Sequence, residues 1–175
     1  MNCAVNTARA KSAQAPKRSK IGIEKIVSES MRFWDTSALV KLYVNERDST
    51  KFRRFAGDPE VPLISSLTIS EVHCAFWRKE ISGAVKHGRA EILFQNFLRQ
   101  IESGDLKLIL YDSRVKSRAI GVVRHCYGAP RPVMIRSLDA LQIASALEGG
   151  ATEMVSADLR MRGCGILFGL RVMPE

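Results

Sequence analysis

Residues 31–41 read MRFWDTSALVK and join a short apolar run to an aspartate and then to a helical pattern. Residues 32–34 predict a short strand that ends at Asp35. Residues 36–46 predict a helix because apolar side chains recur there at the spacing of one helical face. An acidic residue is therefore predicted at the junction between a strand and the helix that follows it.

The rest of the chain repeats this alternation of short apolar runs and longer helical stretches. The later predicted strands cover residues 61–65, 106–111, 153–156 and 170–173. The later predicted helices cover residues 49–55, 68–79, 85–102, 114–126 and 137–147, with a short helix after Asp158. Such alternation indicates an α/β domain with a mainly parallel sheet, and no repeat or linker divides residues 31–175.

Length and charge indicate a single domain with a preference for polyanionic partners. The chain has 175 residues, and 27 Lys and Arg against 18 Asp and Glu give a net charge of +9. This surplus favours nucleic acid as a partner. No apolar stretch is long enough to span a membrane, and the four scattered cysteines suit neither a compact zinc site nor a disulfide framework.

Residues 1–30 differ from the remainder in composition. They carry +4 of the net charge, are rich in Ala, Ser, Lys and Asn, and contain no apolar segment of a secretory signal. We predict a basic, disordered N-terminal extension that precedes the domain of residues 31–175. A start codon misassigned upstream of Met31 is the other explanation that the composition allows.

Four acidic residues fall where a parallel sheet would gather them. Asp35 and Asp158 each follow a predicted strand, and ligand sites in open parallel sheets lie beyond the carboxyl ends of the strands. Glu71 and Asp139 fall in the first turns of two predicted helices that can flank the same crevice. Each acid also has a structural interpretation, as a helix cap, a capping-box glutamate or a first-turn acid favoured by the helix dipole.

A shared cleft would give the four acids a common chemistry. Several carboxylates in one cleft repel each other and lose solvation, so they need a counter-charge. A divalent cation supplies that charge, and oxygen ligands favour Mg²⁺ or Mn²⁺ over Zn²⁺. Such a metal activates water and neutralises charge on a phosphate, which is the chemistry that a nuclease needs.

The sequence around these acids resembles the motifs of the PIN domain, in particular the VapC-type toxins of bacterial toxin–antitoxin pairs. The resemblance rests on residues 31–41, Ser70-Glu71-Val72, residues 136–144 (RSLDALQIA), Val155-Ser156-Ala157-Asp158 with Arg160, and the closing residues 169–174. These motifs occur in the family's order and extend over residues 31–175. The family pattern usually begins close to the initiator methionine, so residues 1–30 depart from it.

The resemblance implies a three-layer α/β/α sandwich with a short, mainly parallel sheet. It also implies an endoribonuclease that depends on Mg²⁺, with Mn²⁺ as a substitute, and hydrolyses RNA phosphodiester bonds with metal-activated water. By motif, Asp35 and Asp139 would be the principal metal ligands. Glu71 and Asp158 would hold a second metal or metal-bound waters, and would complete the catalytic set.

Four further residues take expected roles from the same resemblance. Ser37 would orient Asp35 through its hydroxyl, and Ser156 would do the same for the last acid of the set. Arg136 and Arg160 flank the third and fourth motifs and would contact RNA phosphates.

The cysteines, interpreted as reduced thiols, and the lack of a long apolar stretch predict a cytoplasmic protein without membrane association. By the resemblance, its expected partner is a small antitoxin, and the expected assembly is a homodimer or a larger complex with that antitoxin. Two other functions stay open at this point. One is a non-catalytic PIN-like module that binds RNA or protein, and the other is an RNA-processing nuclease that is not a toxin.

Overall fold

A five-stranded parallel sheet forms the centre of the computed structural model, which describes residues 31–56 and 60–175. The strands are β1 (Arg32–Trp34), β2 (Leu63–Ser65), β3 (Lys107–Ile109), β4 (Glu153–Val155) and β5 (Arg171–Met173). Every neighbouring pair is parallel, as the alternating pattern predicts. The extension predicted over residues 1–30 lies outside the described residues.

Helices connect the strands and cover the sheet. In the described part of the chain they are α1 (Thr36–Tyr43), α2 (Ser49–Ala56), α3 (Thr68–Ile81), α4 (Arg89–Glu102), α5 (Ser113–Gly128), α6 (Ser137–Glu148) and α7 (Leu159–Leu167). Each predicted helix is present, so the α/β class is confirmed. None of the helices in residues 31–56 and 60–175 is long and apolar enough to cross a bilayer.

Two helices are shorter than their apolar pattern predicts, for local backbone reasons. The helix predicted over residues 36–46 ends earlier because Val44 adopts an extended conformation, with φ −113° and ψ 133°. The helix predicted over residues 85–102 begins only at Arg89. Gly88 precedes it with φ 80°, a left-handed conformation that glycine adopts without steric cost.

The strand order places a crevice next to β1. The order across the sheet is β3-β2-β1-β4-β5, so the chain first extends from β1 to one side and then crosses to the other. The direction of winding therefore reverses between β1 and β4. In open parallel sheets, ligands bind at such a reversal, beyond the carboxyl ends of the strands.

The alternation of side chains along the strands creates two cores. Phe33 packs into one apolar cluster with Ile143 of α6, on the face covered by α5, α6 and α7. Its neighbour Trp34 packs into a second cluster with Phe76 of α3, on the face covered by α1, α3 and α4. Successive residues of a strand point to opposite faces, so adjacent residues of β1 belong to different layers. The predicted three-layer α/β/α sandwich is confirmed.

An ion-pair cluster joins the amino ends of three adjacent strands. Arg32, Glu153 and Arg171 are the first residues of β1, β4 and β5 and lie in register with one another. The Nε of Arg32 donates to Oε2 of Glu153 at 2.8 Å, and Arg171 donates to the other oxygen of the same carboxylate. Glu153 is only 3% exposed, so two arginines neutralise a buried charge at this end of the sheet.

Candidate active site

All four acids predicted from the sequence line one cavity of about 740 Å³. Asp35 directly follows β1, and Asp158 lies just beyond β4, the neighbouring strand. Glu71 reaches the cavity from α3, on one face of the sheet, and Asp139 from α6, on the other. Two strand ends and two helices of opposite layers therefore bring the acids together at the reversal in strand order.

Asp35 is the most deeply buried acid of the cavity, with 6% of the residue exposed. Its Oδ2 accepts hydrogen bonds from the hydroxyls of Ser37 and Ser156, the latter at 2.9 Å, and from the backbone N–H of Ser37 at 3.3 Å. Burial raises the pKa of Asp35, the serine hydrogen bonds oppose that rise, and the charge of Asp158 adds to it. Among the described residues, no cation forms an ion pair with this carboxylate.

The two serines join the ends of β1 and β4. The Ser37 hydroxyl, expected to orient Asp35, does contact that carboxylate and also accepts from the backbone N–H of Ala157 at 2.9 Å. Ser156 was expected to orient Asp158. Its hydroxyl donates instead to Asp35 and accepts from the backbone N–H of Asp158 at 3.1 Å, because β1 and β4 end side by side.

Glu71 is held by two side chains that the sequence reasoning did not identify. Its Oε2 accepts from the Thr36 hydroxyl and from Nε2 of Gln142. Burial raises the pKa of Glu71, and the charges of Asp35 and Asp139 add to that rise, while Thr36 and Gln142 act against it. The sequence does contain a signal for Gln142, since it is an amide one turn after Asp139 in an otherwise apolar helical face.

The structural interpretations of the acids hold for three of them and fail for Glu71. Asp35 caps α1 through the contact described above. Asp139 accepts from the backbone N–H of Arg136 at 3.0 Å, and Asp158 accepts from that of Arg160 at 2.8 Å. Glu71 makes no such bond, because α3 begins after Leu67 without a side-chain cap.

Three of the four carboxylates keep one oxygen without a protein hydrogen bond from the described residues, while Asp158 accepts at both of its oxygens. The hydrogen bonds to Asp35, Glu71 and Asp139 all fall on one oxygen, which is Oδ2, Oε2 and Oδ2 respectively. No hydrogen bond from a described residue reaches Oδ1 of Asp35, Oε1 of Glu71 or Oδ1 of Asp139. Carboxylate oxygens alone are a ligand set that suits Mg²⁺ or Mn²⁺, so the donors fit such an ion.

Although the acids share one cavity, their side chains are hydrogen-bonded to protein donors and do not converge on a single point. Over residues 31–56 and 60–175, no three Asp, Glu, His or Cys side chains are grouped closely enough to form a ready metal-ligand set. Asp158 also has a cationic partner, since Nη2 of Arg160 lies 3.1 Å from its Oδ2. Burial alone would raise the pKa of Asp158, but the hydrogen bonds and charge of Arg160 outweigh it and lower the pKa.

Four basic side chains also line the cavity. They are Lys41, Arg78, Lys79 and Arg136. Arg160 does not line the cavity, since its guanidinium binds Asp158. Acidic and basic side chains in one cavity suit a ligand that carries phosphate and approaches a metal.

Residues 32–165 match the family model of the PIN domain. The chain belongs to the PIN-domain family. The match covers most of the residues on which the sequence resemblance rests, and it confirms that resemblance. None of the curated proteins matches the sequence of this PIN domain significantly.

Solved structures with the same fold come from several bacteria. This PIN domain is similar to VapC20 of Mycobacterium tuberculosis, a toxin that cleaves the sarcin–ricin loop, with a TM-score of 0.58, 15% identity, and coverage of 77% of this chain and 95% of that one. VapBC2 of Rickettsia felis, bound to a promoter DNA fragment, gives a TM-score of 0.56 and 14% identity, with coverage of 81% of this chain and 96% of that one. A toxin–antitoxin complex of Klebsiella pneumoniae gives a TM-score of 0.51 and 16% identity, with coverage of 73% of this chain and 86% of that one. Identities this low show a shared fold.

Proposed function

We propose that this PIN domain is a divalent-metal-dependent endoribonuclease and the toxin of a toxin–antitoxin pair. The observation that carries the proposal is the arrangement of Asp35, Glu71 and Asp139. These acids come from three different elements, line one cavity, and each keep one oxygen without a hydrogen bond from the described residues. Membership of the PIN-domain family supports a nuclease, and the neighbouring toxin structures support the cellular role.

The proposed cofactor is Mg²⁺, with Mn²⁺ as a substitute. Asp35 and Asp139 would be its direct ligands, and Glu71 and Asp158 would hold a second ion or its waters. A divalent cation bound there neutralises phosphate charge and makes water more acidic. The oxygen-only donor set described above supports this choice over zinc.

The remaining chemistry belongs to residues of the chain. Ser37 and Ser156 fix the orientation of Asp35, while Thr36 and Gln142 fix that of Glu71. In the proposed reaction, water adds to phosphorus and the bond to the 3′ oxygen breaks. A proton from solvent converts that oxygen to a hydroxyl, so the products carry 5′-phosphate and 3′-hydroxyl ends.

Glu71 is proposed to take the proton of the attacking water at Oε1, the oxygen without a protein hydrogen bond among the described residues. Its raised pKa favours proton uptake relative to an ordinary glutamate. Arg136 is proposed to bind a substrate phosphate, since it is exposed at the cavity. Arg160 would do so only by sharing its guanidinium with Asp158.

The proposed partner is a small antitoxin, in a homodimer or larger assembly in the cytoplasm. Helices α3 and α4 pack against each other and expose large apolar side chains, among them Trp77, Ile81 and Ile92. Exposed apolar surface of this kind is typical of protein interfaces. The Klebsiella pneumoniae neighbour is itself a toxin–antitoxin complex, which supports the assignment.

Cleavage of single-stranded RNA of mixed sequence tests the proposal. The full chain should cut it in Mg²⁺ or Mn²⁺ and leave 5′-phosphate ends, and EDTA should stop the reaction. Asp35→Asn and Asp139→Asn should each abolish cleavage while circular dichroism stays native. Asp105→Asn is the matched control, because Asp105 is an exposed acid outside the cavity.

Three results would contradict part or all of the proposal. Undiminished cleavage by both active-site variants would mean that the acids are not the catalytic centre. Binding of RNA without cleavage in either metal would instead support a non-catalytic binding module. Cleavage without an effect on bacterial growth would favour an RNA-processing nuclease over a toxin.

A further inference from the structure

We infer that one face of α3 is the binding track for the RNA strand, and that Arg78 on this face binds a phosphate adjacent to the scissile one. The inference rests on the proposed function and adds the path of the substrate. The family resemblance and the sequence pattern assign no such role to Arg78.

The helical spacing of the cavity wall defines this track. Glu71, Cys74, Ala75, Arg78 and Lys79 of α3 all line the cavity. Their separations of three, four, seven and eight residues place them on one face of the helix. Arg78 follows Glu71 by two turns, about 10 Å along the helix axis. An arginine whose backbone lies two turns from Glu71 suits a neighbouring phosphate rather than the one that reacts.

Arg78 differs from the neighbouring lysines of the cavity in its ion pairing. Lys41 pairs with Glu46 at 2.6 Å and with Asp48 at 2.7 Å, and Lys79 pairs with the other oxygen of Glu46 at 2.6 Å. These lysines already have acidic partners within the protein. Arg78 is exposed and has no ion pair with any described residue. Its charge is therefore available to a ligand.

The chemistry of Arg78 and the size of the cavity favour a phosphate chain. A guanidinium presents a planar pair of donors that matches two phosphate oxygens. The cavity of about 740 Å³ is the size of a ligand pocket, which suits a few nucleotides of one strand better than a duplex. An acidic peptide along the same face would place its carboxylates beside Glu71 and Asp139, and it lacks the phosphodiester on which the proposed metal ion would act.

Equilibrium binding of single-stranded, mixed-sequence RNA to the full chain in EDTA tests the role of Arg78. Arg78→Gln should weaken binding about tenfold and reduce the slope of log K against log salt by about 0.7, the value for one lost phosphate contact on a single strand. Arg78→Lys should restore the slope. Arg124→Gln is the matched control, since Arg124 is an exposed helical arginine outside the cavity and should leave the slope unchanged.

Cys74 supplies a second measurement on the native chain. Its exposed thiol lies on the same face of α3, between Glu71 and Arg78, whereas Cys126 and Cys164 are buried. Bound RNA should slow alkylation of Cys74 by iodoacetamide, followed by peptide mass spectrometry. The protection should be lost in Arg78→Gln at the same RNA concentration and retained in Arg124→Gln.

The outcomes separate this inference from the proposed function. If the wild-type chain neither binds nor cuts RNA, the proposed function fails. A second result is that the wild-type chain binds and cuts RNA while Arg78→Gln has the same RNA affinity and salt slope as Arg124→Gln and RNA does not protect Cys74. That result would overturn the binding track on α3 and leave the proposed function intact. If Arg78→Gln weakens binding of poly-glutamate and leaves RNA binding intact, Arg78 belongs to a protein interface and the inference is also overturned.

Discussion

Asp35 and Glu153 are both buried carboxylates at the ends of neighbouring central strands, yet their surroundings differ. Glu153 begins β4 and is contacted by two arginines, Arg32 and Arg171. Asp35 follows β1 and is contacted by hydroxyl and backbone donors only, with no ion pair to any described residue. Glu153 has its counter-charge within the chain, whereas Asp35 has none among the described residues.

This difference distinguishes a structural acid from a binding acid. A buried charge is stable only when it is paired and hydrogen-bonded, and Glu153 meets both conditions within the chain. The hydrogen bonds to Asp35 fix its orientation without neutralising it. A carboxylate that is oriented but not neutralised is suited to a cation from solution.

The largest expected effect is at the amino end of the sheet. Glu153→Ala leaves the buried guanidinium of Arg32 without this partner, so the free energy of unfolding should fall by about 3–5 kcal/mol. Urea denaturation measures it, and the loss should be the same with Mn²⁺ or with EDTA. Glu148→Ala is the control, because Glu148 pairs with a half-exposed arginine and should cost at most about 1 kcal/mol. Equal losses in the free energy of unfolding for the two variants would mean that Glu153 is no more important to stability than an acid in a half-exposed ion pair.

The second effect, at the carboxyl end, depends on metal. Wild-type protein should gain about 2.7 kcal/mol in the free energy of unfolding when Mn²⁺ is present at one hundred times its dissociation constant. Asp35→Asn should lose this gain and show little change in EDTA, since it removes an unneutralised buried charge. Urea denaturation in both conditions measures this. A variant that Mn²⁺ stabilises as strongly as the wild type would show that Asp35 is not a ligand.

Many features of the fold and site follow from local sequence, and others depend on the register of distant segments. Asp35 and Asp158 are predictable at the site because the carboxyl ends of parallel strands share one edge. The pairing of Ser156 with Asp35 is not, since it requires β1 and β4 to be neighbours, and local patterns do not encode strand order. The pair of Arg32 and Glu153 depends on the same adjacency.

The apolar pattern predicts the presence of an element better than its ends. It places a helix over residues 85–102, but the helix starts later because a single backbone angle at Gly88 decides where it begins. Gln142 was missed for a related reason. A lone amide on an apolar helix does not reveal its partner, and here the partner is Glu71 on a helix of the opposite layer.

A third, smaller effect concerns the orientation of Asp35. Ser156→Ala removes one hydroxyl donor from this carboxylate, and loss of such an outer contact weakens metal affinity about 10- to 100-fold. Calorimetric titration with Mn²⁺ measures the change. Ser145→Ala is the control, because Ser145 is a buried, hydrogen-bonded serine outside the cavity and should leave the affinity unchanged. Unchanged affinity in Ser156→Ala would mean that the hydroxyl does not orient the ligand.

The smallest effect is expected at the outer arginine of the amino-end cluster. The side chain of Arg171 is 62% exposed, so solvent screens its attraction to Glu153. Arg171→Gln should therefore cost at most about 1 kcal/mol in the free energy of unfolding, and less at high salt. A loss as large as that of Glu153→Ala would show that the carboxylate needs both arginines.

The hydroxyls of Ser37 and Ser156 also have a mechanical consequence. Each donates to Asp35 and accepts a backbone N–H from the segment that follows β4, at Ala157 and Asp158 respectively. These bonds therefore tie Asp35 to the loop after β4, in addition to the backbone pairing of the two strands.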